Sequence, residues 1–124
     1  MIYLDTHVVA WLYAGRIDLF PDHIQKLISR EELFISPIVS LELQYLFEIG
    51  RVLKKAKDVV SDLEKRIGLN TCECAFNDVI ECTITHDWTR DPFDRIIVSQ
   101  ANVHSTKLVT KDETIRKNYK YAIW

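Results

Sequence analysis

Four carboxylates in this chain stand where a folded protein gains nothing from an isolated charge. Asp5 closes an apolar opening run, Met1-Ile2-Tyr3-Leu4, that predicts a short buried strand. Glu42 lies within Ser36 to Gly50, where Ile38, Leu41, Tyr45, Leu46 and Ile49 recur at helical spacing, so it is expected inside an apolar stripe. Asp94 shares a helical face with Ile97, Val98 and Ala101. Asp112 follows the run Lys107-Leu108-Val109-Thr110 by two residues. Carboxylates gathered within roughly 4 to 6 Å raise one another's pKa, and burial adds to the effect, so an ionised cluster needs a cation. Hard oxygen donors, with neither histidine nor cysteine required, suit magnesium, or manganese in its place, better than zinc. Magnesium on a few carboxylates, its other positions filled by water, can activate a water nucleophile and neutralise a phosphate. The expected chemistry is phosphodiester hydrolysis with Asp5, Glu42, Asp94 and Asp112 as metal-binding catalytic residues, on one ion or two.

Simpler uses exist for three of them. Asp5 and Asp112 could cap the helices that follow, and Asp94 could complete a capping box begun by Asp91. Glu42 has no such role. Asp91, before Pro92, is read first as a helix cap and left outside the site. His7 is read as positional rather than as an acid for a leaving group.

Strand and helix signals alternate along the chain that must position these acids. Helices are expected over His7 to Ala14, Pro21 to Arg30, Pro37 to Gly50, Lys54 to Ile67, Phe76 to Thr83, Phe93 to about His104, and after Asp112. Strands are expected at the N-terminus, Leu33 to Ile35, Leu69 to Cys74, Lys107 to Thr110 and Tyr121 to Trp124. Short apolar strands between helices predict an α/β fold, a parallel sheet of four to five strands covered on both faces. In such sheets ligands bind at the strands' carboxyl ends, where strand order reverses, and all four acids can reach one such end.

The 124 residues, 48% hydrophobic, predict one domain over 1–124 that buries its own core. A net charge of -2 provides no global field for a polyanion, so any nucleic-acid contact must be local. Candidates are Arg51, Lys54, Lys55 and Lys57 in one patch and Lys107, Lys111, Arg116, Lys117 and Lys120 in another. No stretch predicts a membrane span or signal peptide, and a cytoplasmic protein is expected. Cys72, Cys74 and Cys82 suggest no disulfide framework. With His86 they could form a zinc site only at unfavourable spacings; Cys72 and Cys74 are read instead as small hydrophobes on one strand face.

Four segments carry a family resemblance: L-D-T-H-V-V-A-W-L (Leu4 to Leu12), S-P-I-V-S-L-E-L (Ser36 to Leu43), R-D-P-F-D-R-I-I-V-S-Q-A (Arg90 to Ala101) and L-V-T-K-D (Leu108 to Asp112). Together they resemble PIN-domain proteins, and among these the VapC-type toxins of bacterial toxin-antitoxin pairs. The resemblance implies a three-layer α/β/α fold and a magnesium-dependent endoribonuclease acting on single-stranded or loop RNA. It further implies a homodimer inhibited by a small antitoxin. The family's four acids fall on Asp5, Glu42, Asp94 and Asp112, and Thr110 matches a hydroxyl residue that often precedes the last acid. Thr6 and Arg95, beside the first and third acids, complete the expected support of site and substrate. Ser99-Gln100 departs from the small residues common there, and Arg51 to Trp88 carries no diagnostic motif.

Two other functions compete. An aspartyl-phosphate phosphotransfer or phosphatase domain could use Asp5, but the haloacid-dehalogenase pattern wants a second aspartate where this chain has His7. A non-catalytic PIN-like RNA-binding regulator would be expected to lack an acid, and none is missing.

Overall fold

Strands and helices alternate in the computed structural model, which describes residues Met1 to Trp124. The strands are β1 (Ile2–Leu4), β2 (Leu33–Ile35), β3 (Asn70–Thr71), β4 (Leu108–Val109) and β5 (Ala122–Ile123). They form one sheet in the order β3-β2-β1-β4-β5, parallel throughout. Tyr3 stands opposite Phe34 on one side and Leu108 on the other. Seven α-helices make the crossovers that parallel pairing requires: α1 (Thr6–Tyr13), α2 (Asp22–Arg30), α3 (Pro37–Glu48), α4 (Ala56–Ile67), α5 (Phe76–Ile84), α6 (Pro92–Val103) and α7 (Glu113–Asn118). The result is a three-layer α/β/α arrangement.

From β1 the chain moves outward through β2 to β3, then returns to the far side of β1 as β4 and continues to β5. Strand order therefore reverses between β1 and β4. The core forms around this junction: β1 is sealed, and Val8 and Val9 of α1, Val39 and Leu43 of α3, Leu63 of α4, and Ile97, Val98 and Ala101 of α6 pack with it. No helix is long and apolar enough to cross a membrane.

The helix boundaries follow local chemistry. Ser36 Oγ accepts from Ile38 N ahead of Pro37, and Asp91 Oδ1 accepts from Phe93 N and Asp94 N around Pro92. Proline at the first helical position gives up no hydrogen bond, because that N–H has no intrahelical partner. Gly68 ends α4 at φ +68°, a left-handed conformation open to glycine without strain.

Three sequence expectations are corrected. The stripe on α3 is rotated: Leu41, Tyr45 and Ile49 are 57%, 49% and 48% exposed, whereas Val39 and Leu43 are buried. Glu42 lies at the margin of the buried face, three residues from Val39 and four from Leu46, and is half-buried. The third strand contracts to Asn70–Thr71, which leaves Cys72 and Cys74 beyond its end. Cys72 is no simple hydrophobe, since its Sγ accepts from Tyr3 Oη at 2.9 Å and Gln100 Nε2 at 3.1 Å, while Ser36 Oγ donates to Gln100 Oε1. This polar chain ties the start of α3 to α6. Cys82 Sγ and His86 Nε2 are 3.9 Å apart, whereas Cys72 turns instead to Tyr3 and Gln100.

Candidate active site

Asp5 leaves β1 at the point where strand order reverses and is only 3% exposed. Its carboxylate is held from three directions. Oδ1 accepts from Thr6 N at 2.7 Å, which caps α1, and Oδ2 accepts from Thr110 Oγ1 at 2.6 Å. His7 Nδ1 stands 3.4 Å from the same Oδ2. Thr110, itself fully buried, also accepts from Asp112 N at 3.1 Å. One hydroxyl thus fixes the acid after β1 relative to the acid after β4.

Asp112 Oδ1 accepts from Ile115 N at 2.8 Å and caps α7. The capping roles weighed for Asp5 and Asp112 are therefore real, yet each aspartate has a second oxygen outside its cap contact. Capping and site formation coexist. Asp94 lies in the first turn of α6, and Glu42 enters from α3, which packs against α6. The positive ends of α1, α6 and α7 carry these aspartates, a field that favours the ionised forms.

The acids sense one another. Burial first, then the charges of Asp91, Asp5, Asp112 and Glu42, push the Asp94 carboxyl up to about 7. Burial likewise pushes Glu42 up to about 7; the Thr6 hydroxyl opposes this, while Asp5 and Asp91 add to it. No neighbouring cation offsets the repulsion among these groups in either case. As they stand, no three of the side chains converge into a closed coordination cage. Magnesium does not require one, because it is commonly bound through one or two carboxylates and keeps several waters. The donor set fits such an ion. So does Thr6 Oγ1, which is buried and, though near enough to Glu42 to influence it, completes no hydrogen bond.

His7 is neutral and structural. Its Nε2 accepts from Lys111 N at 2.9 Å, which assigns the ring proton to Nδ1, toward Asp5. Burial, its largest influence, lowers its pKa. The ring joins β1's exit to the turn after β4. Arg95 Nε donates to Thr89 O at 2.7 Å and braces the loop before α6, while Arg90 Nη1 donates to Asp87 O. Asp91, which the sequence reading leaves outside the site, is a cap as expected and also a fifth charge acting on Asp94 and Glu42. Its spacing from Asp94 was the signal for that second effect. Ser99 Oγ is buried without a partner, and nothing in the structure explains it.

The family model described as PIN domain matches residues 2–121. The chain belongs to the PIN-domain family. No curated protein matches it. Among solved structures, this PIN domain is similar to VapBC2 from Rickettsia felis, bound to a DNA fragment from their promoter. That match has a TM-score of 0.69 and 21% identity, and covers 99% of this chain and 96% of the other. It is also similar to a toxin-antitoxin complex from Klebsiella pneumoniae, with a TM-score of 0.66, 14% identity and coverage of 100% and 97%. At these identities the likeness concerns the fold of this PIN domain.

Proposed function

We propose that this PIN domain is a magnesium-dependent endoribonuclease that hydrolyses phosphodiester bonds of single-stranded or loop RNA, and that it is the toxin of a toxin-antitoxin pair. The observation that carries the reading is the gathering of acids where strand order reverses: Thr110 links Asp5 to Asp112, and Glu42 and Asp94, each pushed up to about 7 chiefly by burial, sense the charge of Asp5. Asp5, Glu42, Asp94 and Asp112 would hold Mg2+, or Mn2+ in its place. When bound, the ion supplies a Lewis acid that makes water a nucleophile near neutral pH and shields phosphate charge. The chain's own groups do the rest. Thr110 and His7 hold Asp5 in one orientation, the unpartnered Thr6 hydroxyl can donate to a phosphate oxygen or ordered water, and Glu42 and Asp94 give up protons as the cation is taken up.

The aspartyl-phosphate alternative fits less well, because the second aspartate that such chemistry wants two residues after Asp5 is here His7, whose Nε2 is taken up by Lys111 N. An antitoxin partner is supported by the two structural neighbours and by an apolar concavity of about 410 Å3 lined by Trp11, Tyr13, Leu43, Val52, Leu53 and Val59. A homodimer is supported by the exposed Leu41, Tyr45 and Ile49 on α3, where Tyr45 stacks on Phe93. Action on RNA as the toxin of such a pair implies a cytoplasmic location.

Cleavage of total RNA with and without Mg2+, followed by mapping of the new ends, tests the reading. Wild-type protein is expected to cut only with the metal, and Asp5→Asn and Glu42→Gln to be inactive while folded. Full cleavage by both variants in nuclease-free preparations would falsify it.

A further inference from the structure

A second concavity lies away from the acids, beside the edge strand β5. It encloses about 580 Å3 and is lined by His23 and Arg30 of α2, Lys107 before β4, Arg116 of α7, and Ile123 and Trp124. In a chain of net charge -2, this concentrates three permanent cations in one place. Arg30, Lys107 and Arg116 are exposed, and none is in an ion pair with a carboxylate. Glu31, the acid that senses both Arg30 and Lys107, is held by the Met1 amino group at 2.7 Å. The positive charge of the groove is therefore available to a ligand.

One end of the groove approaches the acid cluster through packed side chains. Trp124 lies 6.4 Å from His7, ring to ring, and His7 Nδ1 is 3.4 Å from Asp5 Oδ2. Arg116 N donates to Asp112 O, so Arg116 stands one helical turn along α7 from the fourth acid. A strand leaving the acids toward β5 meets an aromatic ring and then the cations. An acidic peptide following the same route would run into four carboxylates. A phosphodiester strand instead brings the group on which a metal held by those carboxylates acts. The volume is in the range of single-ligand clefts, suited to a few nucleotides of one strand.

We infer that the β5 groove, through Arg30, Lys107 and Arg116, is a track for the sugar-phosphate backbone of single-stranded RNA leading to the acid cluster. The inference rests on the nuclease reading above and specifies where its substrate lies. Trp124, half-buried against Trp11 and Phe20, provides an aromatic surface beside the track.

The test measures binding apart from cleavage. A fluorescein-labelled 12-nucleotide RNA is titrated by anisotropy with the Glu42→Gln protein without metal, and with the same protein carrying Arg30→Gln, Lys107→Gln and Arg116→Gln. A control carries Arg16→Gln, Lys65→Gln and Arg66→Gln, an equal charge change at exposed positions outside the groove and outside both basic patches. Single strands lose about 0.7 in log–log salt slope per phosphate contact removed, so the groove variant should lose about 2 and its Kd should rise about tenfold or more at low salt. The control should stay within about threefold of the parent. In cleavage assays on the protein with Glu42 intact, the groove changes should raise KM for long substrates and leave kcat unchanged.

An unchanged salt slope, an equal loss in the control, or displacement of the RNA by poly-glutamate at equal charge concentration would overturn the track. Absence of RNA binding would overturn it as well. If wild-type protein cuts RNA while the groove variant binds normally, the track fails and the nuclease reading stands. If the parent binds through the groove but wild-type protein never cuts, the nuclease reading fails instead.

Discussion

Replacing Asp94 with asparagine should stabilise the metal-free protein, against the usual direction for a change at a half-buried polar site. The folded-state pKa of Asp94 is raised from 3.8 to about 7. The folded protein therefore retains a proton that the unfolded chain releases over that interval, and stability falls as pH rises through it. At about 1.4 kcal/mol per tenfold change in proton affinity, the full shift corresponds to about 4 kcal/mol. Solvent screens a half-buried carboxyl, and the repulsion from Glu42 is shared between two acids, so about 1 to 2 kcal/mol is expected from removing one charge. For a domain of this size that is a melting temperature higher by about 3 to 8 °C. Differential scanning calorimetry in EDTA at pH 8 and pH 4 provides the measurement. Asp94→Asn should melt higher at pH 8, and the gain should shrink to a small fraction at pH 4, where the unfolded chain also holds the proton about half the time. Mn2+ should raise the melting temperature of the wild type more than that of the variant. A variant no more stable than wild type at pH 8, or equally favoured at pH 4, would refute the electrostatic account.

Three further outcomes follow from the structure. Thr110→Val keeps the shape of the side chain but removes the hydroxyl shared by Asp5 and Asp112; urea denaturation should show a loss of about 1 to 3 kcal/mol, and Thr110→Ser should restore most of it. Tyr45→Glu, at an exposed position on α3, should convert a dimer to monomer by light scattering with little change in melting temperature; a dimer that persists assigns the contact to another face. Gly68→Ala meets no atom within 4 Å but must adopt φ +68°, so urea denaturation should show about 1 to 2 kcal/mol of backbone strain and no loss of cleavage.

The alternation of elements was legible because punctuation in this chain is strong: Ser36-Pro37 and Asp91-Pro92 start helices, and Gly68 stops one. Strand lengths were not, since β3 is two exposed residues paired only with β2, and nothing local separates such a strand from its flanks. Glu42 was located for a partly mistaken reason. Periodicity identifies an apolar stripe but not which side the core occupies, and on α3 two stripes compete, Val39 and Leu43 inside and Leu41, Tyr45 and Ile49 outside. The link through Thr110 from Asp5 to Asp112 could be suspected from Thr110's spacing, but its geometry depends on β4 lying beside β1. The Ser36, Gln100 and Cys72 chain left no periodic trace, because its members come from three separate segments. The β5 groove was hidden likewise: Lys107 and Arg116 stood out as part of a basic patch, but only the fold brings Arg30 and His23 to them.

The hydrogen bond from Thr110 to Asp5 closes a loop of 105 residues in the chain. Synthesis yields Asp5 first, but the hydroxyl that orients it and the acid beyond it follow only with β4, which must dock against β1. No N-terminal fragment that stops before Thr110 contains a complete site. The four acids are thus not assembled until the chain has been made through Asp112, so the fold itself delays the grouping of these charges until the strand that carries the last of them is in place.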